Sequence, residues 1–141
     1  MSAEVFLDSN VLVYALDPAA PVEKRARAGA IVQCSLSEKN ACISFQVAQE
    51  VLHVATQKFA VPLRPDQARD YIDAVLAPLC MVWSSLALMK AVTELKQSTR
   101  FHFYDCLIIA AALEARCRVL LSEDLQHGRR LGGLRIENPF L

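Results

Sequence analysis

Val5-Phe6-Leu7-Asp8-Ser9-Asn10-Val11-Leu12-Val13-Tyr14 decides how this chain is read, because an apolar run near the N-terminus ends abruptly in a carboxylate. Val5 to Leu7 are strand formers, whereas Ser9 and Asn10 stop strands and start helices. Asp8 therefore stands at the C-terminal end of a first strand. In an open parallel sheet that edge is where the crevice forms and ligands bind.

Outward from this stretch, Asn10 to Leu16 predicts a short helix, broken by Asp17-Pro18 and Pro21. Val22 to Leu36 reads as an amphipathic helix with Ala26, Ala30, Ile31 and Cys34 on one side and Lys24, Arg25 and Arg27 largely on the other. Ala41 to Ser44 is a short strand whose serine caps the next helix, Phe45 to Phe59. There Phe45, Ala48, Leu52, Ala55 and Phe59 form the expected core stripe, and Gln46, Glu50, His53 and Gln57 a polar one facing solvent by default. Asp66 to Leu76 is helical with Pro78 as its stop, Cys80 to Trp83 is a third strand, and Ser84 or Ser85 caps a helix to about Ser98, with Leu88, Val92 and Leu95 facing inward.

The second informative stretch, Phe101 to Leu113, is a buried helix beginning with Asp105, the only charge between Phe103 and Leu113. Val119 to Leu121 follows as a strand ending in Ser122-Glu123-Asp124, which repeats the geometry of the first. Gly132-Gly133 turns the chain into a last short strand, Leu134 to Ile136. Strands alternating with helices of about ten residues or more predict a parallel sheet covered on both faces.

The 141 residues make one domain, 1–141, burying about two thirds of the surface its unfolded form exposes. The chain is 54% hydrophobic, yet no apolar run approaches the roughly 18 residues a membrane span needs. Met1-Ser2-Ala3-Glu4 lacks the basic start and apolar core of a secretory leader, so a cytoplasmic protein is expected. Five scattered cysteines without a C-x-x-C pair fit reduced thiols with packing roles. Fifteen basic and fifteen acidic residues balance, so a polyanionic substrate has to be held by a local basic rim or by bound cations.

Taken singly, each acid has an ordinary explanation: Asp8 and Asp105 as helix caps, Glu50 as a solvated helix residue, Asp124 as part of a turn. Together they lie at one edge of the expected sheet, where carboxylates repel and resist burial without a counter-charge. No lysine or arginine neighbours Asp8, Glu50 or Asp105 in sequence. Hard divalent cations, Mg²⁺ or Mn²⁺, are the natural neutraliser, and such a site suits hydrolysis of a phosphodiester.

These residues in this order resemble the PIN-domain ribonucleases, specifically the VapC-type toxins of VapBC toxin–antitoxin pairs. The resemblance covers the whole chain: F-L-D-S-N-V at the start, Glu50 after the second strand, Y-D-C-L-I-I-A-A-A in the second half and L-L-S-E-D-L-Q-H-G near the end. It implies a PIN-like three-layer α/β sandwich, with a parallel sheet of four or five strands flanked by helices, and metal-dependent cleavage of RNA. Asp8, Glu50 and Asp105 match the family's principal acids and Asp124 the more variable fourth, as catalytic residues and ligands of Mg²⁺ or Mn²⁺. Asn10 and Ser122 match groups that orient them. A homodimer and a small cognate antitoxin lying across the active-site groove are implied on the same ground.

Other features carry less. Glu50 and His53 make an E-x-x-H spacing, but a di-iron bundle needs two such motifs and further glutamates. His102 and His127, near Asp105 and Asp124, are either loop residues or phosphate contacts; Lys96, Arg100, Arg129 and Arg130 are either solvated helix ends or the basic rim that positions RNA. A haloacid-dehalogenase-like phosphatase needs an Asp where this chain has Asn10, and a receiver domain needs an acidic pair after the first strand and a lysine after the last. The remaining alternatives are a PIN-fold nuclease of RNA processing, not a toxin, and a non-catalytic module that binds a metal or peptide.

Overall fold

The computed structural model describes residues 3–141; Met1 and Ser2, the start of the segment expected to lack a leader, lie outside them. Five strands run parallel: β1 (Val5–Leu7), β2 (Ala41–Ser44), β3 (Cys80–Val82), β4 (Val119–Leu121) and β6 (Leu134–Glu137). A two-residue β5 (Arg130–Leu131) pairs antiparallel with β6, its register set by the Gly132-Gly133 turn. The sheet therefore has six strands, ordered β3-β2-β1-β4-β6-β5, its five parallel strands as expected and β5 added at one edge. Gly132 takes φ +60°, which a glycine adopts without strain, and the tight turn brings Arg130 back to Arg135.

Helices flank the sheet: α1 (Ser9–Leu16), α2 (Val22–Glu38), α3 (Phe45–Gln57), α4 (Pro65–Tyr71), α5 (Ala77–Leu79), α6 (Leu86–Ser98) and α7 (Phe103–Glu114). Helix α1 packs on α2 and α3, and α6 on α7. Pro78 does not end the helix before it. A π-helical segment, Ile72–Leu76, joins α4 to α5, with Ala77 N–H bonding Ile72 O. That wider turn loosens the ladder just ahead of Pro78, which has no N–H to place and so sits in the first turn of α5.

The core is made by strands buried on both faces, among them Phe6, Leu7, Ile43, Leu120 and Ile136, all at 0% exposure. One helix turns a different face inward than its periodicity predicts, and another keeps most of its expected stripe but not its first residue. In α2 the buried residues are Ala28, Val32 and Ser35, while Ala26, Ala30 and Cys34 are exposed. Small and apolar side chains occur around the whole helix, so the pattern does not select a face, and Ser35 tolerates burial because its hydroxyl donates to Ile31 O at 2.7 Å. In α3 Ala48 and Ala55 are buried as expected, as is Phe59 just past the helix, and Leu52 is half-buried; Val47 and Val51 join them, while Phe45 swings out to stack on Trp83 at 5.3 Å. Ser85 caps α6 and, as expected, Leu88 and Val92 are buried there.

The chain builds outward from β1 through β2 to β3, then returns to lay β4 on the other side of β1. This reversal opens a crevice at the carboxyl ends of β1 and β4. Asp8 follows β1 directly, and its backbone N–H bonds Leu121 O at 3.0 Å, the last rung between β1 and β4.

Candidate active site

Asp8 is 7% exposed and heads α1, its Oδ1 accepting the Ser9 N–H at 2.7 Å. Its Oδ2 accepts from the hydroxyl of Ser122, at 2.7 Å, which β4 delivers to the same edge. Asp8 is thus a helix cap and a crevice carboxylate at once, the two readings the sequence left open. Burial pushes its carboxyl up to about 6; the two hydrogen bonds pull the other way, and repulsion from Glu50 and Asp124 adds to the rise.

Glu50 is half-buried, against its default expectation of solvent exposure. Gln46, one turn earlier on α3, donates to Glu50 Oε1 at 2.9 Å, and the Ser9 hydroxyl donates to Oε2 at 3.3 Å. The same Gln46 Nε2 reaches Tyr104 O at 3.5 Å, tying the start of α7 to α3. Asp105 is the next residue, half-buried in the first turn of α7. No described side chain or N–H bonds its carboxylate and α7 has no side-chain cap, so Asp105 is favoured there by the helix dipole and not by a cap hydrogen bond.

Asp124 is exposed and accepts from Asn10 Nδ2 at 3.3 Å. Asn10 also donates to Ser122 Oγ at 3.3 Å and accepts the Glu123 N–H at 3.2 Å. The Ser122 hydroxyl in turn takes the Asp124 N–H at 3.2 Å. Ser122 therefore bonds both Asp8 and Asp124, and Asn10 bonds Ser122 and Asp124.

Three segments far apart in sequence, around Asp8, Glu50 and Asp124, are joined by these bonds, and Asp105 adjoins them through Tyr104 and Gln46. All the donor atoms on offer are oxygens, and Asp8 lacks any basic partner, which fits a hard divalent cation. The carboxylates as oriented are held by Ser9, Gln46, Asn10 and Ser122. Among the described residues no three His, Cys, Asp or Glu side chains converge as a ready-made ion cage.

Ser9 and Gln46 join the site without a signal among the acids themselves. Gln46 could have been found from its position four residues before Glu50 on one helix face. Of the remaining candidates, His53 and His102 are exposed, and His127 Nδ1 accepts the Asn138 N–H at 2.9 Å, a loop-bracing role. Two of the four basic residues meet at Phe101: Lys96 donates to its carbonyl at 2.7 Å, and Arg129 lies 5.3 Å from its ring centroid. Arg100 and Arg130 are exposed. No described helix is long and apolar enough to cross a membrane.

A family model described as "PIN domain" matches residues 5–130. No curated protein matches the chain in sequence. Solved structures similar in fold include a toxin–antitoxin complex from Klebsiella pneumoniae, with a TM-score of 0.68, 18% identity, and coverage of 96% of this chain and 97% of that one. FitAcB from Neisseria gonorrhoeae gives a TM-score of 0.63 at 16% identity, covering 96% and 98%. VapBC2 from Rickettsia felis, bound to a DNA fragment from its promoter, gives 0.62 at 23% identity, covering 95% and 97%.

Proposed function

The chain belongs to the PIN domain family, and from that premise we propose that it is a metal-dependent endoribonuclease, the toxin of a toxin–antitoxin pair. One observation carries the reading: a buried Asp8, raised to about 6, faces Glu50 and Asp124 at the sheet's switch point with no basic side chain paired to it. Such a concentration of carboxylate charge is stabilised by a cation.

Asp8, Glu50, Asp105 and Asp124 would hold Mg²⁺ or Mn²⁺. When bound, the ion supplies positive charge for a phosphoryl group and makes a water easier to deprotonate. The chain's own groups do the rest. Ser122 and the Ser9 N–H fix both oxygens of Asp8, Gln46 and Ser9 fix Glu50, and Asn10 fixes Asp124, so the acids are oriented before substrate arrives. Asp105 keeps a carboxylate without a described donor, available to a ligand. Lys96 and Arg129 around Phe101, with Arg100, form the basic rim that takes the RNA backbone.

The partner reading follows the same premise. One solved structure of similar fold is a toxin–antitoxin complex, and a small antitoxin covering the acid crevice is proposed for this chain, together with a homodimer. Phe45, Trp83, Met89 and Tyr104, exposed and adjoining one another, are the apolar surface a second copy would bury; sedimentation equilibrium at micromolar protein reads the dimer directly.

The function is tested by incubating purified protein with structured RNA. Cleavage is expected with Mg²⁺ or Mn²⁺, none with chelator, and none in Asp8→Asn or Asp105→Asn variants whose circular dichroism matches wild type. Cleavage by Asp105→Asn at the wild-type rate would remove the four-acid assignment, and metal binding without any cleavage would leave a non-catalytic module. Growth arrest on expression, relieved by a co-expressed small partner, separates a toxin from a processing nuclease.

A further inference from the structure

The Glu123 carboxylate is gripped by two donors from different helices, the Tyr14 hydroxyl on α1 and the Lys24 ammonium on α2. Lys24 Nζ lies 5.0 Å from the Tyr14 ring centroid and 6.0 Å from that of Phe140, and the two rings meet edge to face at 5.2 Å. Beside Phe140, Arg27 Nε donates to Pro139 O at 3.0 Å. Two helices, the acid-bearing loop and the C-terminal segment thus converge on one side chain.

From Glu123 the hydrogen bonds run inward to the acids. Its N–H donates to Asn10 Oδ1, at 3.2 Å, which selects the direction of the Asn10 amide. A flipped amide would set its NH₂ against that N–H and lose its bonds to Ser122 and Asp124. Ser122 then carries the arrangement on to Asp8 Oδ2 at 2.7 Å. The grip also neutralises a charge: Glu123 adjoins Asp124, and Lys24 is the one cation ion-paired to this loop among the described residues.

We propose that Glu123, anchored by Lys24 and Tyr14, is a positioning residue that orients the Asn10 amide and through it sets Asp8 and Asp124. What that arrangement serves rests on the nuclease reading; the positioning is a property of the folded chain. A merely structural role makes a different forecast. The Lys24 and Glu123 side chains are 36% and 22% exposed, and partly exposed ion pairs contribute little to global stability.

The test compares wild type, Lys24→Met and Lys24→Arg in the full chain, by three readouts. These are the side-chain amide resonances of Asn10 in metal-free protein, the affinity for Mn²⁺ alone, and kcat and KM on RNA. Lys24→Met is expected to shift the Asn10 resonances, to weaken Mn²⁺ binding roughly tenfold, and to lower kcat by a similar factor with KM little changed. Its thermal midpoint stays near wild type, and Lys24→Arg restores all three readouts. Unchanged Asn10 resonances in Lys24→Met overturn the proposal whatever the activity, and so does a loss that Lys24→Arg fails to restore. A wild type that neither binds Mn²⁺ nor cleaves RNA sinks the nuclease reading, while the Asn10 resonances still decide the positioning.

Discussion

Asp8 concentrates the conflict at the residue scale, because it is buried among like charges and yet has to ionise to bind a cation. In the unfolded chain it ionises near pH 4, and in the fold at about 6. Between those values the folded state holds the extra proton, so stability is highest below the window, falls as pH rises through it and is level above. The displacement corresponds to about 3 kcal/mol of unfavourable charge burial, an upper bound for this single site. Asp8→Asn should therefore abolish cleavage while keeping or raising the thermal midpoint at pH 7, and should remove the decline between pH 4 and 6. Saturating Mn²⁺ should raise the wild-type midpoint and leave that of Asp8→Asn unmoved. A midpoint for Asp8→Asn well below wild type at pH 7 would mean that the carboxylate's hydrogen bonds outweigh its repulsion.

At the scale of elements, α3 links the core to the site. Its start is set by Ser44, whose hydroxyl accepts the Val47 N–H at 3.3 Å; its first turn carries Gln46 and its second Glu50. Ser44→Ala should cost about 1 kcal/mol, a fall of roughly 2 to 4 °C in thermal midpoint, with kcat reduced as well because Glu50 hangs on the turn that the cap secures. A fall in midpoint with kcat untouched would show that Glu50 does not depend on the cap. Most helix boundaries were legible in sequence, since caps act locally, through the nearest N–H groups; Pro78, taken into the first turn of α5, is the exception. Which face turns inward was less so: in α2 the Ala28 face won over the Ala26 face, and in α3 Phe45 left an otherwise buried stripe, because neighbouring elements, not the helix's own period, decide where space exists.

On the scale of the whole molecule, balanced charge leaves RNA affinity to the local convergence of Lys96 and Arg129 at Phe101. Replacing both by alanine should weaken RNA binding and lower the slope of log affinity against log salt by about 1.4 to 1.8, with metal affinity unchanged. An unaltered slope would place the backbone contacts elsewhere. The sequence by itself determined the parallel α/β architecture, and that Asp8, Ser122 and Asp124 share one edge, because strand polarity follows from helical crossovers and every parallel strand ends on the same side. Tertiary structure alone decided the rest: Ser9 on Glu50, Tyr104 beside α3, and Lys24 and Tyr14 on Glu123. Those pairings depend on rotamers and on how far each helix rolls on the sheet, which are set by packing between segments up to about a hundred residues apart. No local pattern encodes them.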